Sequence, residues 1–451
     1  MIDRAILDSI FKAYDIRGLA ETELSEDFGY AFGRCFVQVH GVKTVALGRD
    51  MRTSGTWLHD AIVRGLTEAG ADVLDLGMVS TDMLYFATGT YDVDAGIMLT
   101  ASHNPKEYNG IKSCLTDAEP IGMDNGNGTI KERLAEGDLG EKASTPGSVK
   151  AKDILDDWVS YLLKYVDTSL LRPMKVVVDA GNGMAGPVVE ALFARLPQMT
   201  LIPMYFDPDG NFPNHPANPL DELNLVDLKG RMEQEGADIG LAFDGDADRC
   251  ILVNDQFETV SGTLTTCMIA TMFLTKDPHQ TILYNAVMGK AAKETIESLG
   301  GTARMIRSGH TFIKKAMKEY GAVFAGEHSA HYYFRDFWNA DSGIIAALMV
   351  MSYLSMEGKT LSEATKAFDR TVQSGEINFR LSDVAAKAKF LQEHYADHPQ
   401  ETIDGVNIQG DGYWFSIRVS NTEPLLRLNM EADSKEILSQ RLAEVRALIE
   451  A

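Results

Sequence analysis

The segment Leu99-Thr-Ala-Ser-His-Asn-Pro-Lys106 sets a hydroxyl nucleophile, Ser102, in a polar run directly after the apolar stretch Ala95-Gly-Ile-Met-Leu99. The apolar stretch reads as a strand, which carries the backbone to one edge of a sheet and exposes Ser102 in the loop beyond it. Asn104-Pro105 keeps that loop from becoming a helix, because proline drives the residue before it out of helical angles. A serine so placed suits attack on, or carriage of, a phosphoryl group. A lone Ser-His pair in such a loop is an ordinary polar turn, and three further segments give this one weight.

Asp244-Gly-Asp-Ala-Asp-Arg249 puts carboxylates at alternate positions between two apolar strand-like runs, Ile239–Phe243 and Cys250–Val253. Alternate residues of an extended or looping backbone can point the same way. Like charges so close repel unless a cation sits among them, and hard oxygen ligands favour Mg²⁺ or Ca²⁺. A solvated acidic turn is the bland alternative. An EF-hand is a sharper one, since Asp255 falls at loop position twelve. It fails at position six, where Arg249 stands in place of glycine, and in its flanks, which are strands rather than helices.

Gly326-Glu-His-Ser-Ala-His-Tyr-Tyr-Phe334 follows the strand-like Ala322-Val-Phe-Ala325. Glu327, Ser329 and His331 alternate there, as one polar face reading sugar hydroxyls would. Arg418-Val-Ser-Asn-Thr-Glu-Pro424 follows the strand-like Tyr413-Trp-Phe-Ser-Ile417. Its guanidinium, hydroxyls, amide and turn N–H groups form a phosphate cradle, although a Ser-Asn hairpin turn has much the same composition.

The elements that must position these segments divide the chain. With 451 residues, several domains are expected. Strand-like runs (Thr44–Leu47, Val73–Leu76, Lys175–Asp179, Ile239–Phe243, Thr281–Tyr284) alternate with helical patterns (Trp57–Glu68, Gly186–Leu196, Lys290–Leu299, Thr311–Tyr320) through about the first 360 residues. That alternation predicts α/β units with largely parallel pairing. The end of the chain changes style. A strand at Glu376–Leu381, a helix to about Tyr395, strands around Val406, Trp414 and Leu426, and a helix over Ser434–Ile449 predict a small α+β domain with an antiparallel sheet. Seams at the Gly/Ser/Thr/Pro-rich stretch Gly140–Ser148, near Asn254 and near Thr371 place the domains at 1–148, 149–254, 255–370 and 371–451.

The net charge of −23, from 42 basic and 65 acidic residues, argues against nucleic acid or an anionic membrane as partner. It leaves room for a phosphorylated substrate held by a few arginines. The longest apolar run, Ile344–Met351, is far short of the ~20 residues a membrane span needs and reads as a buried helix. The N-terminus lacks the apolar core of a signal peptide. Cys35, Cys114, Cys250 and Cys267 show no metal-ligand spacing and read as buried thiols of a reducing compartment, so a cytoplasmic location is expected.

Taken in order, the four segments offer a nucleophile, a metal site, a hydroxyl reader and a phosphate grip. With Phe11-Lys-Ala-Tyr-Asp-Ile-Arg-Gly18 at the start, they resemble the α-D-phosphohexomutases along nearly the whole chain, most of all the bacterial phosphomannomutase/phosphoglucomutase group. The resemblance implies four domains around a central cleft, three α/β with mixed sheets and a C-terminal α+β domain. It implies a phosphorylated Ser102, Mg²⁺ on Asp244, Asp246 and Asp248 with Ser102 as a further ligand, and a hexose 1,6-bisphosphate as intermediate and activator. His103, Lys112, Arg249 and His310 would serve catalysis. Tyr14, Arg17, Glu327, Ser329, His331, Arg418, Ser420, Asn421 and Thr422 would bind a small sugar phosphate.

The chain departs from the family pattern in two places. A lysine that some members place near Ala286-Val-Met-Gly-Lys290 has no clear counterpart, and the sugar loop has His328 and Ala330 where many members have Met and Gly. The preferred sugar, which could be mannose, glucose or glucosamine phosphate, and the oligomeric state stay open. So do two rivals to the mutase reading. One is a phosphatase with an aspartyl nucleophile, although such enzymes carry their acidic loop near the N-terminus. The other is a sugar-phosphate-binding protein without catalysis.

Overall fold

A computed structural model describes residues 2–369, 371–419 and 425–451. They form two compact units, Met1–Ser261 with Ser329–Ser362, and Gly262–His328 with Glu363–Ala451. The first unit opens with a sheet of β1 (Ile16–Leu19), β2 (Thr44–Arg49), β3 (Asp72–Met78), β4 (Ala95–Leu99), β5 (Tyr108–Leu115) and β6 (Val149–Ala151), in the order β1-β5-β4-β2-β3-β6. Strands β4, β2, β3 and β6 run parallel, β5 pairs antiparallel with β4, and β1 pairs antiparallel with β5. Every residue of β4 is buried, which is why its sequence is apolar without alternation. Because β2, β3 and β4 are parallel, the segments after them emerge at one edge of the sheet, where ligands of open α/β sheets bind. Those segments begin at Asp50, Val79 and Thr100.

The stretch 140–148 has no helix or strand, yet it is tied down. Gly140 O accepts from Arg34 Nη2 at 2.8 Å, Ala143 N donates to Glu68 O at 2.9 Å and Gly147 N to Thr67 O at 2.9 Å.

The second sheet of this unit holds β7 (Met174–Asp179), β8 (Met199–Met204), β9 (Ile239–Phe243), β10 (Cys250–Val253) and β11 (Thr259–Val260). Strands β8, β7 and β9 are parallel, and β10 and β11 fold back antiparallel. Phe243 pairs with Cys250, so the acidic segment Asp244–Arg249 is the loop of a hairpin. Asp255 is not part of that loop; its carboxylate accepts from Ser362 N and Ser362 Oγ, both at 2.8 Å, which removes the EF-hand reading.

In the second unit, β12 (Thr281–Asn285) lies between β13 (Thr302–Ile306) and β14 (Phe324–Gly326), parallel to both. The chain then returns to the first unit with the antiparallel pair β15 (Tyr332–Phe334) and β16 (Ala340–Asp341). The helix Gly343–Glu357 follows, buried from Gly343 to Leu354, as the apolar run Ile344–Met351 predicts. The end of the chain is an antiparallel sheet of β17 (Val372–Arg380), β18 (Gln400–Glu401), β19 (Val406–Gly410), β20 (Tyr413–Val419) and β21 (Leu425–Ala432), ordered β17-β21-β20-β19-β18. Its core joins Phe415, Ile417 and Leu428 of the strands to Leu391, Val445 and Ile449 of the helices Val384–His394 and Lys435–Glu450. No helix among the described residues is long and apolar enough to cross a membrane, and all four cysteines are buried free thiols.

Within the second unit, Glu431 of β21 joins the antiparallel sheet to the helix Gly289–Ser298. Its carboxylate is buried and accepts from Trp414 Nε1 at 2.8 Å, Gln373 Nε2 at 3.2 Å and Thr371 Oγ1 at 3.3 Å. A Cβ on Gly289 would come within 2.2 Å of Glu431 Oε2, so only glycine admits the carboxylate there. Burial pushes the Glu431 carboxyl up to about 7, with the Trp414 and Thr371 donors offsetting part of that rise. Folded protein therefore holds this proton more tightly than unfolded chain. The resulting stabilisation is complete below the ordinary glutamate range and is lost as pH rises through about 7. Glu431→Gln should remove roughly 3 kcal/mol of that pH dependence, read as a flatter curve of urea midpoint against pH between 4.5 and 8. An unchanged slope would show that Glu431 ionises freely in the folded state.

Candidate active site

Ser102 follows β4 with φ at +51°, in the left-handed region that side-chain-bearing residues seldom adopt. Two contacts hold it there. Arg52, fully buried after β2, donates to Ser102 O at 2.9 Å and also to Asn104 O, Pro105 O and Tyr108 O at 2.7 to 2.9 Å. Gly245 packs directly on the same turn, where a Cβ would lie 2.6 Å from Ser102 O. The expectation of an exposed serine is thereby corrected. Ser102 is 1% exposed because the acidic hairpin closes over it, and its Oγ donates to Asp244 Oδ2 at 2.7 Å.

Asp244, Asp246 and Asp248 are all buried, and one carboxylate oxygen from each lies within 4.8 Å of the others. The loop achieves this with Ala247 at φ +63°, so the looping backbone, not a strand, converges the side chains. Two cations offset the charge. Lys112 of β5 reaches Asp246 Oδ2 at 2.7 Å and Asp248 Oδ2 at 2.6 Å. Arg249 lies 3.5 Å from Asp244 Oδ2 and 3.9 Å from Asp248 Oδ1. Burial, then the charges of Asp248 and Asp246, push the Asp244 carboxyl well above the usual range. Burial also opposes ionisation of Asp248, but Lys112 and Arg249 outweigh it and hold that carboxyl down at about 2. Burial works against the charge of Lys112 as well, and Asp246 and Asp248 override it and raise the lysine above its ordinary value.

Asp246 Oδ1 and Asp248 Oδ1 are buried without a hydrogen-bond partner among the described residues. An unpaired carboxylate oxygen in such a place is costly. Asp248 Oδ1 has Arg249 at 3.9 Å and His331 at 3.6 Å, whereas Asp246 Oδ1 has no such neighbour among the described residues, and a free carboxylate oxygen in a cluster of three buried carboxylates fits a hard divalent cation.

Around this centre, Arg249 Nη2 donates to His103 Nδ1 at 2.9 Å and Arg249 Nε to His331 Nε2 at 3.1 Å. Since arginine only donates, His103 Nδ1 accepts and the ring is neutral. The charge of Arg249 and burial accordingly depress the His103 imidazole well below its ordinary value. His103 Nδ1 also lies 3.1 Å from Ser102 Oγ. Arg17 spans Asp15 and Asn104, each at 2.8 Å, and so braces the serine loop. Tyr14 is half-buried just before β1. Ser329 Oγ lies 3.1 Å from His331 Nδ1.

Glu327, Ser329 and His331 do not share one strand face. The backbone turns over His328–Ala330, with Ala330 at φ +64°, so the alternation in sequence is not an alternation of sides. In the second unit, buried Glu327 accepts from Gly309 N at 3.2 Å, directly before His310. Ser308 N donates to Asp404 Oδ2 at 3.1 Å, and Asp404 in turn lies 3.6 Å from Arg418. Glu327, the start of the helix His310–Tyr320 and Arg418 are thus linked through Ser308, Gly309 and Asp404. Arg418 also lies 3.5 Å from Glu376. Ser420, Asn421 and Thr422 lie outside the described residues. Lys290 is the second residue of the helix Gly289–Ser298, and its backbone N–H faces Glu431.

Sequence reasoning missed Arg52, Thr81 and Asp404. For Arg52 a signal existed in Gly48-Arg-Asp-Met-Arg52, a charged run directly after a predicted strand. Thr81 and Asp404 had none.

Models of the phosphoglucomutase/phosphomannomutase family match the chain in four consecutive parts. They are alpha/beta/alpha domain I over residues 8–140, domain II over 156–257, domain III over 262–371 and the C-terminal domain over 376–448. A phosphomannomutase of Salmonella montevideo is 40% identical over 448 residues, covering 95% of this chain and 98% of the relative. A phosphomannomutase of Escherichia coli K12 is 39% identical, covering 94% of each. The crystal structure of a phosphoglucomutase/phosphomannomutase family protein from Burkholderia thailandensis superimposes with a TM-score of 0.90 at 32% identity, covering 100% of this chain and 98% of that one.

Lys112→Met should expose the cost of burying the acidic loop. With one cation gone, Asp246 and Asp248 share an uncompensated buried charge, worth about 3–5 kcal/mol. Thermal and urea unfolding in excess chelator should show the loss, and a change under about 1 kcal/mol would mean another group neutralises the loop.

Proposed function

The chain belongs to the phosphoglucomutase/phosphomannomutase family, and on that premise we propose that it interconverts mannose 6-phosphate and mannose 1-phosphate through a phosphoserine at Ser102, with the glucose phosphates as a second substrate pair. The chain is a phosphohexomutase, an isomerase that moves phosphate between positions of a hexose. The observation that carries the phosphoserine reading is the buried Ser102 hydroxyl, 2.7 Å from Asp244 and 3.1 Å from the His103 imidazole that Arg249 holds.

In the proposed reaction, the Oγ–P bond of phosphorylated Ser102 breaks as a new O–P bond forms to the free hydroxyl of the hexose phosphate. The proton of that hydroxyl leaves to a base. The hexose 1,6-bisphosphate so formed turns over and gives its other phosphate back to Ser102 Oγ. Asp244, Asp246 and Asp248 would hold Mg²⁺, with the Ser102 phosphate as a further ligand. Bound there, the ion would draw negative charge from the transferring group. Lys112, kept protonated by two carboxylates, suits charge stabilisation rather than proton abstraction. His103, neutral beside Ser102, and His310 are the candidate proton carriers. Arg249 orients His103 and His331.

Glu327, Ser329 and His331 would read the sugar hydroxyls, with Tyr14 and Arg17 at the serine end. Arg418, with Ser420, Asn421 and Thr422, would hold the phosphate that is not reacting, so its binding energy goes into alignment of the reacting hydroxyl. Buried free thiols fit a cytoplasmic location.

Ser102→Ala should lose the covalent phosphate by intact mass and lose most turnover while still binding sugar phosphate. Turnover equal to the unmodified enzyme would overturn the assignment. Comparing kcat/KM for mannose, glucose and glucosamine 1-phosphates fixes the preferred sugar. Arg418→Ala should lower kcat/KM about ten- to several-hundredfold in both directions, since a charge-assisted bond to phosphate is worth roughly 1.5–3 kcal/mol. A defect in one direction alone would show that Arg418 does not serve both phosphates.

A further inference from the structure

Helix Thr81–Thr90 begins against the acidic hairpin. Thr81 N donates to Asp246 O at 3.0 Å, and Thr81 Oγ1 donates to Asp246 Oδ2 at 2.6 Å. Both groups are completely buried. Lys112 Nζ donates to the same oxygen at 2.7 Å, so two donors converge on Oδ2 while Oδ1 is buried and has no partner among the described residues. A carboxylate held through one oxygen cannot rotate, and its other oxygen keeps a fixed aim.

The hydroxyl and the ammonium are not equivalent anchors. Lys112 neutralises the charge that would attract a cation, whereas Thr81 orients the carboxylate and leaves its charge intact. Thr81 is itself fixed by its surroundings. The next residue, buried Asp82, accepts from Ser80 Oγ and, at 2.6 Å, from Ser342 Oγ, which also caps the helix Gly343–Glu357. Gly343 in turn packs on Arg249, where a Cβ would lie 2.6 Å from its carbonyl. The starts of two helices therefore clamp the hairpin from within the first unit.

We propose that Thr81 is a positioning residue for the metal, setting the cation affinity of the hairpin by fixing the Asp246 carboxylate. The proposal rests on the reading of Asp244, Asp246 and Asp248 as Mg²⁺ ligands. Partners that orient a ligating carboxylate typically change metal affinity by about 10- to 100-fold when removed.

Thr81→Val keeps the volume and removes the donor, and Thr81→Ser keeps the donor. The test is calorimetric titration of the full-length protein with Mg²⁺, without sugar phosphate. Kd should weaken about 10- to 100-fold in Thr81→Val and stay within about threefold of the unsubstituted protein in Thr81→Ser. At saturating Mg²⁺ the kcat of Thr81→Val should recover, which a general packing defect would not allow. Thr81→Ala, which lacks the donor and adds no methyl group, serves the same reading if Thr81→Val does not fold. Unchanged affinity in the donor-free variants, or failure of serine to restore it, overturns the role of Thr81 while the metal site stands. If the unsubstituted protein takes up no Mg²⁺, the metal reading itself falls, and this inference with it.

Discussion

Burying three carboxylates in one hairpin loop is the constraint on which the rest of the first unit depends. Removing even one ion from water costs several kcal/mol unless charge and hydrogen bonds compensate it. Asp244, Asp246 and Asp248 are compensated by groups from four places: Lys112 on β5, Arg249 at the end of the loop, Ser102 after β4 and Thr81 at a helix start. The order of the first sheet makes this possible. Parallel β2, β3 and β4 bring Arg52, Thr81 and Ser102 to one edge, and antiparallel β5 points Lys112 there from the opposite chain direction.

The same compensation fixes how the site behaves chemically. Arg249 shares its guanidinium between the Asp244 and Asp248 carboxylates and the His103 and His331 rings, so the acidic loop and the histidines respond together to any change in charge. The second unit has its own linked group, in which Glu327, the Ser308–Gly309 backbone, Asp404 and Arg418 are joined through hydrogen bonds and ion pairs. Its arginine is held by carboxylates near 3.5 Å, a loose pairing that an anion of higher charge can displace.

Much of this was legible in the sequence where local pattern and local structure coincide. The run Ala95–Leu99 is a fully buried strand, the acidic segment joins two strands, and the last segment of the chain forms an antiparallel sheet with helices. What escaped depends on residues distant in sequence. Alternation in Glu327-His-Ser-Ala-His331 carries no information about sides once Ala330 takes a positive φ. Burial of Ser102 depends on Gly245 and Arg52; the charged run around Arg52 marks it as notable, but nothing local to either residue names Ser102 as its contact. Thr81 looks like any helix-start threonine until Asp246, 165 residues later, is placed beside it.

Those long separations have a consequence for how the protein is made. Ser102 and Asp244 lie 142 residues apart, and Asp82 and Ser342 lie 260 apart. During synthesis the serine loop leaves the ribosome well before the hairpin that buries it, and the hairpin precedes the second of the two helices that clamp it. At each earlier stage the chain lacks a partner for part of this buried network. The full set of contacts around the acidic hairpin can therefore be made only after Ser342 has been synthesised, when about three quarters of the chain has been translated.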